Sequence, residues 1–224
     1  MNRRLIQLGV VFLIAAAGVW KWVMLTTPPF DPAFKRMSPA DVARLPLAAR
    51  FDAPMGSEHG ALTYNAQPFR INRHLGDDLN GIGGLNSDLG DAVYASGFGR
   101  VVYAGVPGPG WGKMIILAHR VREADMTRVI QTVYAHLDQL LVKQDQVVQR
   151  GEKIGTVGTA DGQYLAHLHF EVREGPYVNP GVGYADAPLN RLSPERFLAE
   201  HRGAADDLLY PTPAFKRKAS REQP

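Results

Sequence analysis

The stretch Tyr164-Leu-Ala-His-Leu-His-Phe-Glu-Val172 decides how this chain is read. Its aromatic and aliphatic residues make His167–Val172 a strand. Successive side chains of a strand point to opposite faces. His167 and His169 therefore share one face, and Leu168 and Phe170 share the other. Apolar residues on one side and two imidazoles on the other suit a sheet with a groove above it. A solvated outer face also accounts for two histidines, so the segment alone leaves both readings open.

Two further segments carry related chemistry. In Arg73-His-Leu-Gly-Asp-Asp-Leu-Asn80, His74 and Asp78 stand four apart and share a side in a helix or a strand. Imidazole nitrogen and carboxylate oxygen are both good zinc donors. Gly76 between them permits a close approach or a turn, and Asp77 is an alternative ligand or a supporting acid. In Val133-Tyr-Ala-His-Leu137, His136 ends a strand of alternating pattern. Taken singly, each is explained by a hydrogen-bonded or solvated side chain. Together they offer three ligands for a four-coordinate zinc and two spare histidines. A catalytic zinc keeps one position open, and water held there ionises near about pH 7. Attack on an amide also needs a base, an acid for the leaving amine, and a donor near the developing oxyanion. Two histidines beside the metal could share those tasks.

His-x-Gly-x-Asp, then Tyr-Ala-His-Leu, then His-Leu-His-Phe-Glu, in this order, resembles the lysostaphin-type (LytM-like) zinc metallopeptidases. The resemblance covers about Phe69 to Arg173. It extends to Gly90–Val101, to Gly110–His119, and to Val147–Gly158, which precedes the last histidines. It implies a mainly β fold, with antiparallel sheet forming an open groove. It implies that His74, Asp78 and His169 ligate Zn2+, that His167 is the general base, and that His136 orients or stabilises the tetrahedral intermediate. The family's spacing favours Asp78 over Asp77. Two departures stand out: Lys113 where the family commonly has Asn, and a long polar insertion at Asn80–Asp88. Neither touches a ligand, so both bear on substrate contacts. The substrate implied is peptidoglycan stem peptides or crosslinks.

The remaining sequence is read from its composition. The chain has 224 residues, which suits one domain with extensions. Its 23 glycines and 16 prolines predict many turns. Further strands are expected at Ala92–Ala95, Gly99–Ala104, Met114–His119, Val129–His136 and Lys153–Val157. Arg120–Thr127 is charged and reads as a hairpin loop. Ala104–Gly112 must be a loop, and its Trp111 either lines a groove or is a partly buried loop residue. Ser38-Pro39-Ala40-Asp41 and Ser193-Pro194 are helix starts, the latter followed by Glu195–His201 and a stop at Gly203. His59, His119 and His201 have no partner pattern and read as structural or surface. These signals divide the chain into a leader (1–27), a Pro-rich connector (28–50), the peptidase-like domain (51–180) and a C-terminal extension with a basic tail (181–224).

The formal charge of +3 is carried by the ends. Residues 1–27 hold Arg3, Arg4 and Lys21 and no acid, and the last 14 residues are again +3. The body between Pro28 and Tyr210 is therefore about −3, which argues against non-specific nucleic-acid binding. The absence of cysteine excludes disulfides, thiolate zinc sites and Cys nucleophiles. Two arginines precede an uncharged run from Leu8 to Trp20. That pattern reads as a signal-anchor in the cytoplasmic membrane or a signal peptide cleaved after Ala17. Both put the body in the cell envelope, outside the cytoplasmic membrane.

The expected protein is thus a membrane-associated zinc metalloendopeptidase of the cell wall. Three other readings are carried. One is a non-catalytic wall-binding regulator or activator of another hydrolase; the resemblance implies that such members usually lack ligands. The second is a secreted endopeptidase acting on proteins. The third is a cytoplasmic hybrid-motif barrel carrying phosphate on histidine, which the apolar N-terminus disfavours.

Overall fold

Five consecutive apolar residues, Met114-Ile-Ile-Leu-Ala118, form the middle of the sheet. A strand apolar at every position needs cover on both faces. In the computed structural model, which describes residues 36–57, 60–123 and 125–203, it has that cover. Ile115 and Leu117 belong to one buried cluster, with Tyr134, Leu168, Phe170, Val93 and Ile154. Met114, Ile116 and Ala118 belong to a second, with Val133, Ala135, Met37, Leu45 and Val178. The apolar segment 1–27, His59 and the basic tail lie outside the described residues.

The described elements are α1 (Pro39–Ala43), β1 (Leu47–Ala48), β2 (Thr63–Gln67), a 3-10 turn (Ile71–Arg73), β3 (Asp77–Gly81), β4 (Ala92–Tyr94) and β5 (Gly99–Gly105). They continue with β6 (Lys113–Glu123), β7 (Met126–Leu140), β8 (Val147–Val148), β9 (Lys153–Val157), β10 (Leu168–Glu174), β11 (Arg191–Leu192) and α2 (Pro194–His201). The fold is mainly β, as expected. The principal strand order is β2-β3-β10-β7-β6-β5-β8. Every ladder is antiparallel except the two-residue pairing of β1 with β6. Beyond His136, β7 leaves the main path and pairs with β9, which pairs with β4. Both short helices start where their Ser-Pro signals place them. Ser38 and Asp41 form a reciprocal capping box, and Ser193 accepts a hydrogen bond from the Arg196 amide. Among the described residues no helix is long and apolar enough to cross a membrane.

Three features differ from the sequence reading. Arg120–Thr127 is no loop: β6 runs to Glu123 and β7 restarts at Met126. Arg128 reaches both Glu123 and Glu174, so the charges pair across neighbouring strands. His136 does not end its strand but sits at a bulge within β7, since Ala135 and His136 oppose Met114 alone. Strands β2 and β3 carry Asn, Gln, Asp and Gly, residues poor in strands; β3 is held by pairing with β10, and β2 by pairing with β3.

His119 is a structural residue, fully buried at the end of a proton-ordered chain. The Ser96 amide donates to Tyr134 Oη at 2.8 Å, and that hydroxyl donates to Thr132 Oγ1 at 3.0 Å. Thr132 in turn donates to His119 Nε2 at 2.9 Å, while His119 Nδ1–H donates to the Phe98 carbonyl at 2.8 Å. Phe51 packs edge-on against its ring. Burial pushes its pKa from 6.5 down to about 4, against the smaller opposing effect of the Phe98 carbonyl. Unfolded chain therefore takes up a proton between these values that folded chain refuses. His119 should lower stability by about 3 kcal/mol as pH falls from 6.5 to 4. Urea midpoints of wild type and His119→Gln across that range test this: the variant should show the shallower pH slope, and equal slopes would contradict it.

Candidate metal centre

The register of β3 against β10 sets the site. Asp78 lies directly opposite His169, and Ala135 of β7 lies on His169's other side. Directly opposed residues share a face, so Asp78 and His169 meet. The same alternation decides between the two aspartates. Asp77 pairs with Phe170 and faces away from the groove, where its carboxylate accepts the Phe69 amide at 2.8 Å. Burial pushes the Asp77 carboxyl pKa up.

His74 closes the 3-10 turn just before β3. Gly76 lets this corner press against β10: a Cβ there would lie 2.7 Å from the Phe170 carbonyl and 2.8 Å from His169 Cε1. Each candidate ligand presents one donor atom. His74 Nε2 is 3.0 Å from His169 Nδ1 and 3.3 Å from Asp78 Oδ1. His169 Nδ1 is 2.9 Å from Asp78 Oδ1. Tetrahedral coordination at about 2.0–2.1 Å sets donor atoms about 3.3 Å apart. The three residues therefore fit one metal ion with little movement, and among the described residues they form the one such cluster.

The other nitrogen of each imidazole is fixed. His74 Nδ1–H donates to the Gln67 carbonyl at 3.0 Å, leaving Nε2 as the free donor atom. His169 Nε2–H donates to Glu171 Oε1 at 3.1 Å. Such partners fix tautomer and ring orientation. Burial alone would lower the His169 pKa, but Asp78 and Glu171 on either side hold it up at about 9. Asp78 is held well below the usual carboxylate range: burial opposes its charge, and the His169 and His74 imidazoles beside it outweigh that burial.

Glu171 ends the His-Leu-His-Phe-Glu motif, and nothing in the sequence marks what surrounds it. Its side chain has no solvent exposure. Oε2 accepts from Arg173 Nε at 2.6 Å and Arg191 Nε at 3.0 Å. Burial alone would raise its pKa, but the two guanidiniums and His169 keep it ionised.

His136 and His167 complete the cluster. His136 has a left-handed backbone with φ 61°, unusual for a residue other than glycine. The bulge turns its ring toward the groove, and Nδ1 donates to the Trp111 carbonyl at 3.2 Å. Burial, with His169 and His167 nearby, pushes its pKa down to about 3. His167 Nδ1–H donates to the Leu165 carbonyl at 2.8 Å, and Nε2 lies 3.7 Å from Asp78 Oδ1. The rings of His136 and His167 meet edge to face at 4.7 Å.

All five residues line one open groove of about 460 Å³. Trp111 lines it as well, stacked beside His136 and edge-on to His169. Tyr164 and Tyr184 complete its aromatic lining, and neither was singled out in the sequence. Of the described residues in 53–73, Gln67 lines the groove. Lys113 turns away, donating to the Asp138 carbonyl.

A family model described as Peptidase family M23 matches residues 80–180. Over 92 residues the chain is 38% identical to a lipoprotein NlpD of Yersinia enterocolitica, a match covering 41% of this chain and 87% of that protein. The chain belongs to peptidase family M23. The M23 match contains His136, His167 and His169, whereas His74 and Asp78 lie just before it. The chain is also 41% identical over 92 residues to the murein hydrolase activator NlpD of Escherichia coli. That match covers 41% of this chain but only 22% of the relative, about a fifth of its length. A cell division protein, DipM of Caulobacter vibrioides, is 39% identical over 113 residues, covering 50% of this chain and 17% of that one. Among solved structures, the catalytic domain of lysostaphin from Staphylococcus simulans aligns at 24% identity and a TM-score of 0.44. That alignment covers 61% of this chain and 90% of that one.

Removing one partner of a buried charge network leaves the others unpaired, at a cost of about 3–5 kcal/mol. Glu171→Ala should therefore destabilise this M23 chain by about that amount in urea unfolding. A loss under about 1 kcal/mol would show that the arginines find other acceptors.

Proposed function

We propose that this chain is a zinc-dependent endopeptidase of the cell envelope, acting on peptide bonds of peptidoglycan stem peptides or crosslinks. The observation that carries the reading is the complete set of residues on one open groove. His74, Asp78 and His169 have converging donor atoms, and His136 and His167 remain beside them. Membership of a peptidase family supports hydrolysis, and relatives named murein hydrolase activators support a wall substrate.

His74, Asp78 and His169 would hold the ion. Zinc held there would polarise the scissile carbonyl and make water nucleophilic near neutral pH. His167 is prepared as the base: with Nδ1–H committed to Leu165, its Nε2 lone pair faces the site. It takes the proton of the attacking water and returns it to the leaving amine. His136 is neutral, with Nδ1–H committed to the Trp111 carbonyl, and its ring stands edge to face with His167, where it would orient the substrate in the groove. The apolar N-terminus is read as tethering this chemistry to the outer face of the cytoplasmic membrane or directing its export. No role for nucleic acid is proposed, because the body carries a net charge of about −3.

A second reading has its own support, the activator names of the relatives. In that reading the groove binds wall peptides without cutting them, and another hydrolase does the cutting.

The test is to incubate the full chain, solubilised and zinc-loaded, with purified peptidoglycan, with and without a chelator. Released peptides are identified by mass spectrometry. Chelator-sensitive release is expected. His74→Ala and His169→Ala should lose zinc. His167→Ala should retain one zinc per chain and lose release by about 100-fold or more. Normal release by His167→Ala would overturn its role. Zinc binding without release, together with stimulation of a separate wall hydrolase, would favour the activator reading.

A further inference from the structure

The segment that follows β10 returns to the groove and is bound there along its length. Arg173 donates to the carbonyls of Asn179 and Pro180, the latter at 2.7 Å. Arg191 reaches the Val182 carbonyl. The Leu75 amide donates to the Gly183 carbonyl at 2.9 Å, and the Ala185 amide to the Arg73 carbonyl at 3.0 Å. These two bonds make an antiparallel bridge between Tyr184 and His74. Arg70 holds the Ala185 carbonyl at 2.9 Å. The result is a fixed strand-like wall, not a trailing end, and the family match stops at residue 180, before Tyr184.

The Tyr184 ring sits 5.1 Å from the His74 ring, tilted by 37°, and remains 52% exposed. Tyr164, 46% exposed, also lines the groove and packs against His136 at 5.0 Å. Trp111 completes the aromatic surface, and a Cβ at Gly183 would lie 3.6 Å from its indole. Among the described residues, no acidic or basic side chain other than Asp78 and the histidines lines this groove. Burying a charge without a partner is costly, whereas an aromatic face rewards a planar or apolar partner.

We propose that Tyr184 is a substrate-contacting residue, against which an uncharged face of the bound peptide packs on the His74 side of the groove. The segment Asn179–Ala185 is then the part of this chain that tunes which peptides its groove accepts. This rests on the reading of the groove as a peptide site, and the test separates the two.

Soluble peptides released from peptidoglycan are titrated by calorimetry into the zinc-loaded full chain carrying His167→Ala, which prevents turnover. Zinc content is measured for every variant. Adding Tyr184→Ala should weaken peptide binding by about 5- to 10-fold with zinc unchanged. Tyr184→Phe, which keeps the ring, should restore affinity to within about 2-fold of the parent, a difference of about 0.4 kcal/mol. In the otherwise wild-type chain, Tyr184→Ala should raise KM more than it lowers kcat. Unchanged binding by Tyr184→Ala would overturn the proposal while leaving the peptide-site reading intact. Loss of zinc in Tyr184→Ala would also overturn it, since the ring would then be positioning His74. Absence of peptide binding by the parent would overturn both.

Discussion

Glu171 is the group on which the site depends. A carboxylate without solvent exposure is costly unless its charge is matched, and here three donors match it. One oxygen fixes the proton of His169, so that Nδ1 turns toward Asp78 and His74. The other gathers Arg173 and Arg191, whose remaining donors hold the backbone of residues 179–182. The orientation of a candidate ligand and the docking of the groove's C-terminal wall therefore share one carboxylate. Buried ionic groups contribute little net stability against an apolar substitute, so their value here is geometric.

The surrounding sheet supplies rigidity. Strands β6 and β7 are covered on both faces, and β10 lies between β7 and β3. Asp78 and His169 sit on neighbouring strands, whose spacing is set by ladder hydrogen bonds. His74 comes from a turn pressed against β10 where glycine leaves room. His136 departs from regular geometry, and its left-handed backbone is held by the bulge and by its contacts with Trp111. A cluster mounted on strands keeps its geometry better than one mounted on loops.

Much of this was legible in the chain. The apolar runs of β5, β6, β7, β9 and β10 announce themselves because strands with buried faces need Val, Ile, Leu and Tyr. Helix starts were legible because a serine cap and an N1 proline act within one turn. What stayed hidden depended on partners. Residues Asp77–Gly81 have poor strand propensity and pair only because β10 lies beside them. Arg120–Thr127 looks like a solvated loop until Glu123 and Glu174 are placed around Arg128. Arg173 and Arg191 look like surface charges until burial is known. Tyr184 is distant from His74 in sequence and gives no periodic signal.

The sequence by itself determined the identity of the five groove residues, through the two-residue spacing of His167 and His169 and the motifs shared with a metallopeptidase family. Local periodicity and short-range spacing survive in a linear string. The tertiary structure alone decided which aspartate faces the groove, which nitrogen each histidine presents, and that Glu171, Arg173, Arg191 and the segment around Tyr184 belong to the site. Those outcomes depend on strand register, burial and contacts between residues far apart in the chain, which exist only once the sheet has formed.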